Sequence, residues 1–119
     1  GESDHGYEIN RPILELGPHV APTGMTFYSG DHFPKSFKNN AFIALHGSWN
    51  SSKKVGYKVI RVKFDENGLV EKSTDFLTGF LSEERVFGRP AVPFEMSDGS
   101  LLISDDYSNL IYRITYKKG

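Results

Sequence analysis

The chain has 119 residues with 14 basic and 15 acidic side chains and a net charge of -1. That length fits one small domain, and the scattered charges argue against a nucleic-acid binder, which normally shows a clustered basic face. The absence of cysteine excludes a disulfide framework and a thiolate metal site, and no apolar run approaches the ~20 residues of a membrane-spanning helix.

Turn residues divide the chain into short segments, since Gly, Pro, Asn-Gly or Asp-Gly recurs about every ten residues, as is typical of all-β proteins. The strongest strand signal is the alternation between residues 57 and 64, followed by the hairpin pair Asn67-Gly68. The alternation and the turns together predict strands at residues 12–16, 24–28, 41–46, 57–64, 70–76, 90–95, 101–104 and 110–116.

The predicted strands repeat along the chain. Residues 22–27 resemble 89–94, residues 41–46 resemble 100–105, and residues 56–64 resemble 108–116, with Arg61 and Arg113 in phase. The order matches the strands of β-propeller blades, D, A-B-C-D, A-B-C, counted from axis to rim. It predicts that residues 1–119 are a single fragment of a propeller domain. Within it, residues 11–16 are the outer strand of a preceding blade, 22–80 one blade, and 88–119 a last blade without its outer strand. A self-contained eight-stranded sandwich is the alternative.

In such blades the D–A and B–C loops emerge at one end of the ring, and the conspicuous polar residues fall in these loops. The D–A loops hold His19 and Arg89; the B–C loops hold His46, Ser48, Trp49, Asn50, Asp105 and Asp106. Stacking surface, imidazoles and a guanidinium fork suit a flat, polyanionic ligand. One end of the fragment is therefore predicted to bind such a molecule.

Each of these residues also has a purely structural interpretation. Trp49 could plug the gap between blades, His19 could bond a neighbouring carbonyl group, and Arg89 could pair with Glu83 or Glu84. The Asp105-Asp106 pair is like a pair of metal ligands, but capping of the turn that follows the strand is the favoured interpretation.

Six segments resemble the C-terminal blades of the glucose/sorbosone dehydrogenase family: residues 17–28, 44–50, 56–61, 75–80, 88–90 and 101–106. The most specific is His-Gly-Ser-Trp-Asn from His46, followed by Gly-Tyr-Lys-Val from Gly56. The resemblance spans residues 11 to 116 and implies a two-blade portion of a six-bladed, all-β propeller with antiparallel four-stranded sheets.

The resemblance further implies a dehydrogenase that uses pyrroloquinoline quinone and calcium to oxidise a sugar, sugar aldehyde or polyol. Arg89, His46, His19 and Asn50 are then expected at the cofactor, and Trp49 at the sugar entrance. No catalytic or metal-binding residue is expected here, because the general base and most calcium ligands would lie outside these residues, leaving the chain inactive alone. The implied partners are the remaining blades, the small substrate and an external electron acceptor, with no nucleic acid and no membrane span. The implied location is periplasmic or secreted.

The chain departs from the family pattern directly after Trp49-Asn50. Relatives often carry arginine there, whereas this chain has Ser51 and Ser52 before Lys53-Lys54. If that arginine normally meets the cofactor, one of the two lysines must replace it. A non-catalytic propeller relative that binds carbohydrate or a protein is therefore the alternative function, and a free-standing β-sandwich adhesion module is a third.

Overall fold

The computed structural model describes residues 6–17, 20–47 and 54–117. The strands are β1 (Pro22–Phe27), β2 (Ala41–Leu45), β3 (Lys58–Phe64), β4 (Val70–Leu77), β5 (Leu81–Ser82), β6 (Arg85–Val86), β7 (Pro90–Glu95), β8 (Leu101–Asp105) and β9 (Leu110–Ile114). A 3-10 turn, Lys35–Phe37, precedes β2. Nowhere in the described part of the chain is there a helix long and apolar enough to cross a membrane.

All strand pairs are antiparallel, and they form three sheets. The first sheet has the order β1-β2-β3-β4, the second has the order β7-β8-β9, and β5 and β6 form a small hairpin between them. The A-B-C-D and A-B-C orders expected from the repeat are thus confirmed. The β5–β6 hairpin was not predicted, because strands of two residues carry no alternation signal.

The strand expected at residues 12–16 is not formed, which corrects that prediction. These residues pair with no strand in the described part of the chain. Leu14 and Leu16 instead pack on the outer face of the first sheet, near Ile43 and Phe64. A ladder needs a neighbouring edge, and the edge strands here are β1, β4, β7 and β9. The role of outer strand in a preceding blade stays a prediction, because its partner would belong to another part of the protein.

The main core lies between the first and second sheets. Phe42, Ala44 and Val59 of the first sheet are fully buried, as are Leu101 and Ile103 of the second. Because side chains alternate across a strand, Ala41, Ile43 and Leu45 of β2 point to the other face. Both faces of β2 are therefore covered, which explains why its sequence is apolar throughout.

The outer face of the first sheet bears an apolar cavity of about 430 Å³. Leu14 and Leu16 line one side of it, and Ile43, Val62 and Phe64 line the sheet side. The N-terminal segment therefore covers this face only in part.

The two in-phase arginines make the same kind of contact in the two sheets. Arg61 on β3 donates from Nη1 to Oδ1 of Asn40 at 2.7 Å, and Arg113 on β9 donates from Nε to Oγ of Ser100 at 3.2 Å. Asn40 directly precedes β2, Ser100 directly precedes β8, and both residues are buried. A buried polar side chain is costly unless it is hydrogen-bonded, so each arginine stabilises the start of the strand that precedes its own in the chain.

Candidate functional site

Four of the conspicuous polar residues lie in the described part of the chain. His46 follows β2, Arg89 precedes β7, Asp105 ends β8 and Asp106 follows it. Their strand ends meet at one end of the two sheets, which we call the site end. Four others lie outside the described residues, so their expected positions stay predictions: His19, Ser48, Trp49 and Asn50.

Asp105 is a buried carboxylate that organises the second sheet at the site end. Its Oδ1 accepts hydrogen bonds from the backbone N–H groups of Arg89, Tyr107 and Ser108, each at 3.0 Å. The Tyr112 hydroxyl donates to Oδ2 at 3.2 Å. Burial disfavours the charged form, but the hydrogen bonds from Arg89, Ser108 and Tyr107 outweigh it, so the pKa of Asp105 lies below its ordinary value. The turn-capping interpretation, made for the pair, is confirmed for Asp105.

Among the described residues, the pair of aspartates does not belong to a candidate metal centre. Within residues 6–17, 20–47 and 54–117, no group of three or more His, Cys, Asp or Glu side chains could hold a metal ion.

Gly88 lets the chain reach the Asp105 carboxylate. A Cβ at this position would collide with Oδ2 of Asp105 and lie 2.7 Å from a ring carbon of Phe80. Only glycine avoids both contacts, so the main chain of Arg89 is held against Asp105. Sequence reasoning did not single out Gly88, although its place directly before Arg89-Pro90 was a usable signal.

His46 joins the two sheets at the site end. Its backbone N–H donates to the carbonyl of Ala21, just before β1, at 2.9 Å. Its Nε2 lies 2.8 Å from both carboxylate oxygens of Asp106, and its Nδ1 lies 3.1 Å from Nη2 of Arg89. The structure therefore brings His46 and Arg89 together, as expected from their predicted positions in loops at the same end of the blades. The sequence placed Asp106 at this end but did not pair it with His46.

The Arg89 side chain is partly buried, and one of its donors is unused. Its Nε is buried and has no hydrogen-bond partner in the described part of the chain. Pairing with a nearby glutamate was the structural alternative, but the ion pairs among the described residues include none between Arg89 and Glu83 or Glu84. Glu84 instead accepts from the backbone N–H of Lys54 at 3.0 Å. A buried guanidinium donor without an acceptor fits an anionic ligand.

An open depression of about 670 Å³ borders this region. It is lined by Lys54, Glu84, Arg85, Val86, Phe87 and Tyr107. The rings of Phe87 and Tyr107 are about half exposed, and the Arg85 guanidinium lies 5.1 Å from the centre of the Phe87 ring. Exposed rings beside cationic groups can stack on a flat ligand and bind its negative charges.

Comparison with known proteins identifies the family, since the TrAA12-like family model matches residues 4–114. The chain belongs to the TrAA12-like family. The membership of the glucose/sorbosone dehydrogenase family expected from the sequence is not confirmed.

Two curated relatives match the chain in sequence. An uncharacterized protein of Borreliella burgdorferi is 46% identical over 108 residues, which are 89% of this chain and 28% of that protein. The pyrroloquinoline quinone-dependent pyranose dehydrogenase of Coprinopsis cinerea is 44% identical over 52 residues, which are 44% of this chain and 6% of that protein.

Solved structures also match the chain. The holo form of the pyranose dehydrogenase PQQ domain from Coprinopsis cinerea matches with a TM-score of 0.67 and 31% identity, covering 88% of this chain and 29% of that one. The calcium structure of the Trichoderma reesei carbohydrate-active enzyme of family AA12 matches with a TM-score of 0.62 and 23% identity, covering 78% of this chain and 24% of that one. At that identity the match supports the fold alone. The two sheets are thus part of an all-β, β-propeller-type domain, and the chain spans less than a third of the relatives' lengths.

Proposed function

We propose that this chain helps to bind pyrroloquinoline quinone in an oxidoreductase that oxidises a sugar, sugar aldehyde or polyol. One observation carries the proposal: at the site end, beside His46, Arg89 keeps a buried Nε–H without an acceptor in the described part of the chain. The match to a PQQ domain over 88% of the chain supports the choice of ligand.

The residues present suit a planar ligand that carries carboxylates. Arg89 would donate to a cofactor carboxylate or quinone oxygen, because a guanidinium binds such groups through a fork of donors. His46 would keep that guanidinium in place. When bound, the quinone would supply the two-electron acceptor for the oxidation.

The remaining expected residues keep their roles within the proposal. His19 and Asn50 would complete the wall at the cofactor, and Trp49 would line the sugar entrance. The general base and most calcium ligands would come from the remaining blades. An external electron acceptor would complete the cycle, in a periplasmic or secreted protein.

Titration calorimetry on the intact protein that carries this chain tests the proposal. With quinone and calcium present, Arg89→Ala should weaken quinone binding by about 1.5–3 kcal/mol, the range for a charged hydrogen bond, or roughly 10- to 150-fold. Arg113→Ala is the matched control, because Arg113 contacts Ser100 and Asp98 in the second sheet and not His46 or Arg89. Equal quinone affinity of Arg89→Ala and wild type would remove the proposed role.

A specific observation favours the non-catalytic alternative. Lys54 is one of two lysines that could replace the missing arginine, but its backbone N–H donates to the Glu84 carboxylate and its Nζ to the Glu84 carbonyl oxygen. If Lys53 does not substitute either, quinone affinity is low and the domain binds carbohydrate or a protein instead. The intact protein should bleach an artificial electron acceptor when given quinone, calcium and an aldose, whereas a binding protein should not.

A further inference from the structure

The contact between Arg89 and His46 defines which imidazole nitrogen carries the proton. A guanidinium has only donors and stays charged, so Nδ1 of His46 must accept the hydrogen bond from Nη2 of Arg89 and carries no proton. In the neutral ring the proton is then on Nε2.

Asp106 accepts that proton. Both of its carboxylate oxygens lie 2.8 Å from Nε2, within range of a hydrogen bond to the N–H group. With the proton on Nδ1 instead, an N–H would face the guanidinium and a lone pair would face the carboxylate, and both contacts would be repulsive. Asp106 and Arg89 therefore select the same form and orientation of the ring.

The three contacting side chains come from both sheets. His46 follows β2 of the first sheet, whereas Arg89 and Asp106 flank strands of the second. The Arg89 main chain is fixed separately, through its N–H to Asp105. Among the described residues, His46 is thus the contact that holds the tip of the Arg89 side chain, and the ring itself is held by Asp106.

We propose that Asp106 is a positioning residue that acts through His46. Its carboxylate fixes the imidazole so that Nδ1 accepts from Arg89, and the guanidinium is thereby held at the site end, where its Nε–H has no acceptor among the described residues. The inference rests on the proposed function only in naming quinone as that ligand. The ordering of Arg89 by Asp106 holds whichever anion binds.

The test measures the order of the Arg89 side chain directly. In the intact, cofactor-free protein labelled with 15N-arginine, the Arg89 Nε–H signal is assigned by its loss in Arg89→Lys. Its heteronuclear NOE should show a rigid group in the wild type and a mobile one in Asp106→Ala. Asp106→Asn should keep most of the rigidity, because an amide oxygen still accepts from Nε2–H. A signal equally rigid in Asp106→Ala and wild type would overturn the proposal.

Asp75→Asn is the matched control. Asp75 is as exposed as Asp106, with side chains 55% and 58% accessible, and it also contacts one basic side chain at 2.8 Å, that of Lys58. Removing its charge should leave the Arg89 signal unchanged. An equal loss of rigidity in Asp75→Asn would attribute the effect to net charge and would refute the positioning role.

Quinone affinity gives a second, independent measurement. Asp106→Ala should bind quinone about 3- to 10-fold more weakly than wild type, as expected for losing one hydrogen bond that orders the site, while Asp106→Asn recovers most of the affinity. Wild-type affinity in Asp106→Ala would contradict the proposal. If the wild type binds no quinone, the proposed function fails, and the Arg89 signal still decides whether Asp106 positions it.

Discussion

Two consecutive aspartates at the site end act in different ways. Asp105 is 2% exposed and accepts three backbone hydrogen bonds, whereas the Asp106 side chain is 58% exposed and contacts one imidazole. Sequence reasoning assigned capping to the pair as a whole. It could not separate the two, because which side chain points inward depends on the end of the β8 ladder.

The difference predicts unequal effects on stability. Asp105→Ala should lower the free energy of unfolding by about 2–4 kcal/mol, because buried N–H groups lose their acceptor. Asp106→Ala, next to it, should cost less than about 1 kcal/mol, since the Asp106 side chain is largely exposed and its contact with His46 is a surface ion pair or hydrogen bond. Urea unfolding of both variants of the intact protein measures this, and equal losses would contradict the capping role of Asp105.

The assignment of polar residues to particular loops explains which contacts of the site could be predicted from the sequence. Strand order decides which loops share an end of a sheet, so the meeting of His46 and Arg89 followed from the repeat. The hydrogen bond between His46 and Asp106 joins residues 60 positions apart. It depends on side-chain rotamers, which leave no pattern in a single sequence.

Among the elements, the hairpin between β7 and β8 shows how a turn sequence determines local electrostatics. One of the Asp-Gly turn signals in the sequence is Asp98-Gly99, and the turn is closed by hydrogen bonds from Gly99 N–H to the carbonyl of Met96 and from Met96 N–H to the carbonyl of Ser100. Ser100 donates to Oδ1 of Asp98 through both its N–H and its hydroxyl group, and Arg113 pairs with Oδ2. Hydrogen bonds from Ser100, assisted by Arg113, lower the pKa of Asp98 from 3.8 to about 2.

This shift predicts a defined acid sensitivity. Because the folded-state pKa is below the unfolded value, Asp98 stabilises the fold fully above pH 3.8, and this contribution is lost as the pH falls toward about 2. Asp98→Asn should therefore be less stable than wild type at neutral pH and should lose less stability between those values. Thermal unfolding across that range tests it, with the exposed, Lys38-paired Asp31 replaced by Asn as the control. Parallel pH profiles for wild type and Asp98→Asn would exclude the effect.

The strands of the two larger sheets were predicted, and all of them have partners within the chain. Residues 57–64 showed clear alternation and form β3. Residues 12–16 carried a similar apolar pattern, but that pattern reports burial and not ladder pairing. In the structure this pattern corresponds to partial burial, since Leu14 and Leu16 pack on the first sheet.

At the scale of the whole molecule, polar contacts flank the apolar interface between the sheets. At the site end His46 contacts Asp106 and Arg89. At the opposite end the buried Tyr28 hydroxyl donates to the carbonyl of Gly99 at 2.7 Å and accepts from the N–H groups of His32 and Phe33 at 3.0 Å. These contacts fix the relative position of the sheets, which apolar packing alone defines less sharply.

Removing that hydroxyl group should weaken the interface. Tyr28→Phe leaves one carbonyl and two N–H groups without their partner in a buried setting, so the free energy of unfolding should fall by about 1–3 kcal/mol. Tyr7→Phe is the control, since Tyr7 is 73% exposed. Chemical denaturation of the two variants compares them, and a Tyr28→Phe protein as stable as the control would show that the hydroxyl group does not secure the interface.

Arg89 contacts residues of both sheets, so ligand binding to Arg89 is coupled to the docking of the two sheets. Any anion that binds the guanidinium in its His46-bound position binds only while the two sheets are docked, so its binding free energy adds to the work of separating them. For a ligand at 100 times its dissociation constant this linkage amounts to about 2.7 kcal/mol, comparable to the loss of a buried hydrogen-bonding group. The occupied protein should accordingly resist heat and proteases better than the empty one, with the gain concentrated where the sheets meet.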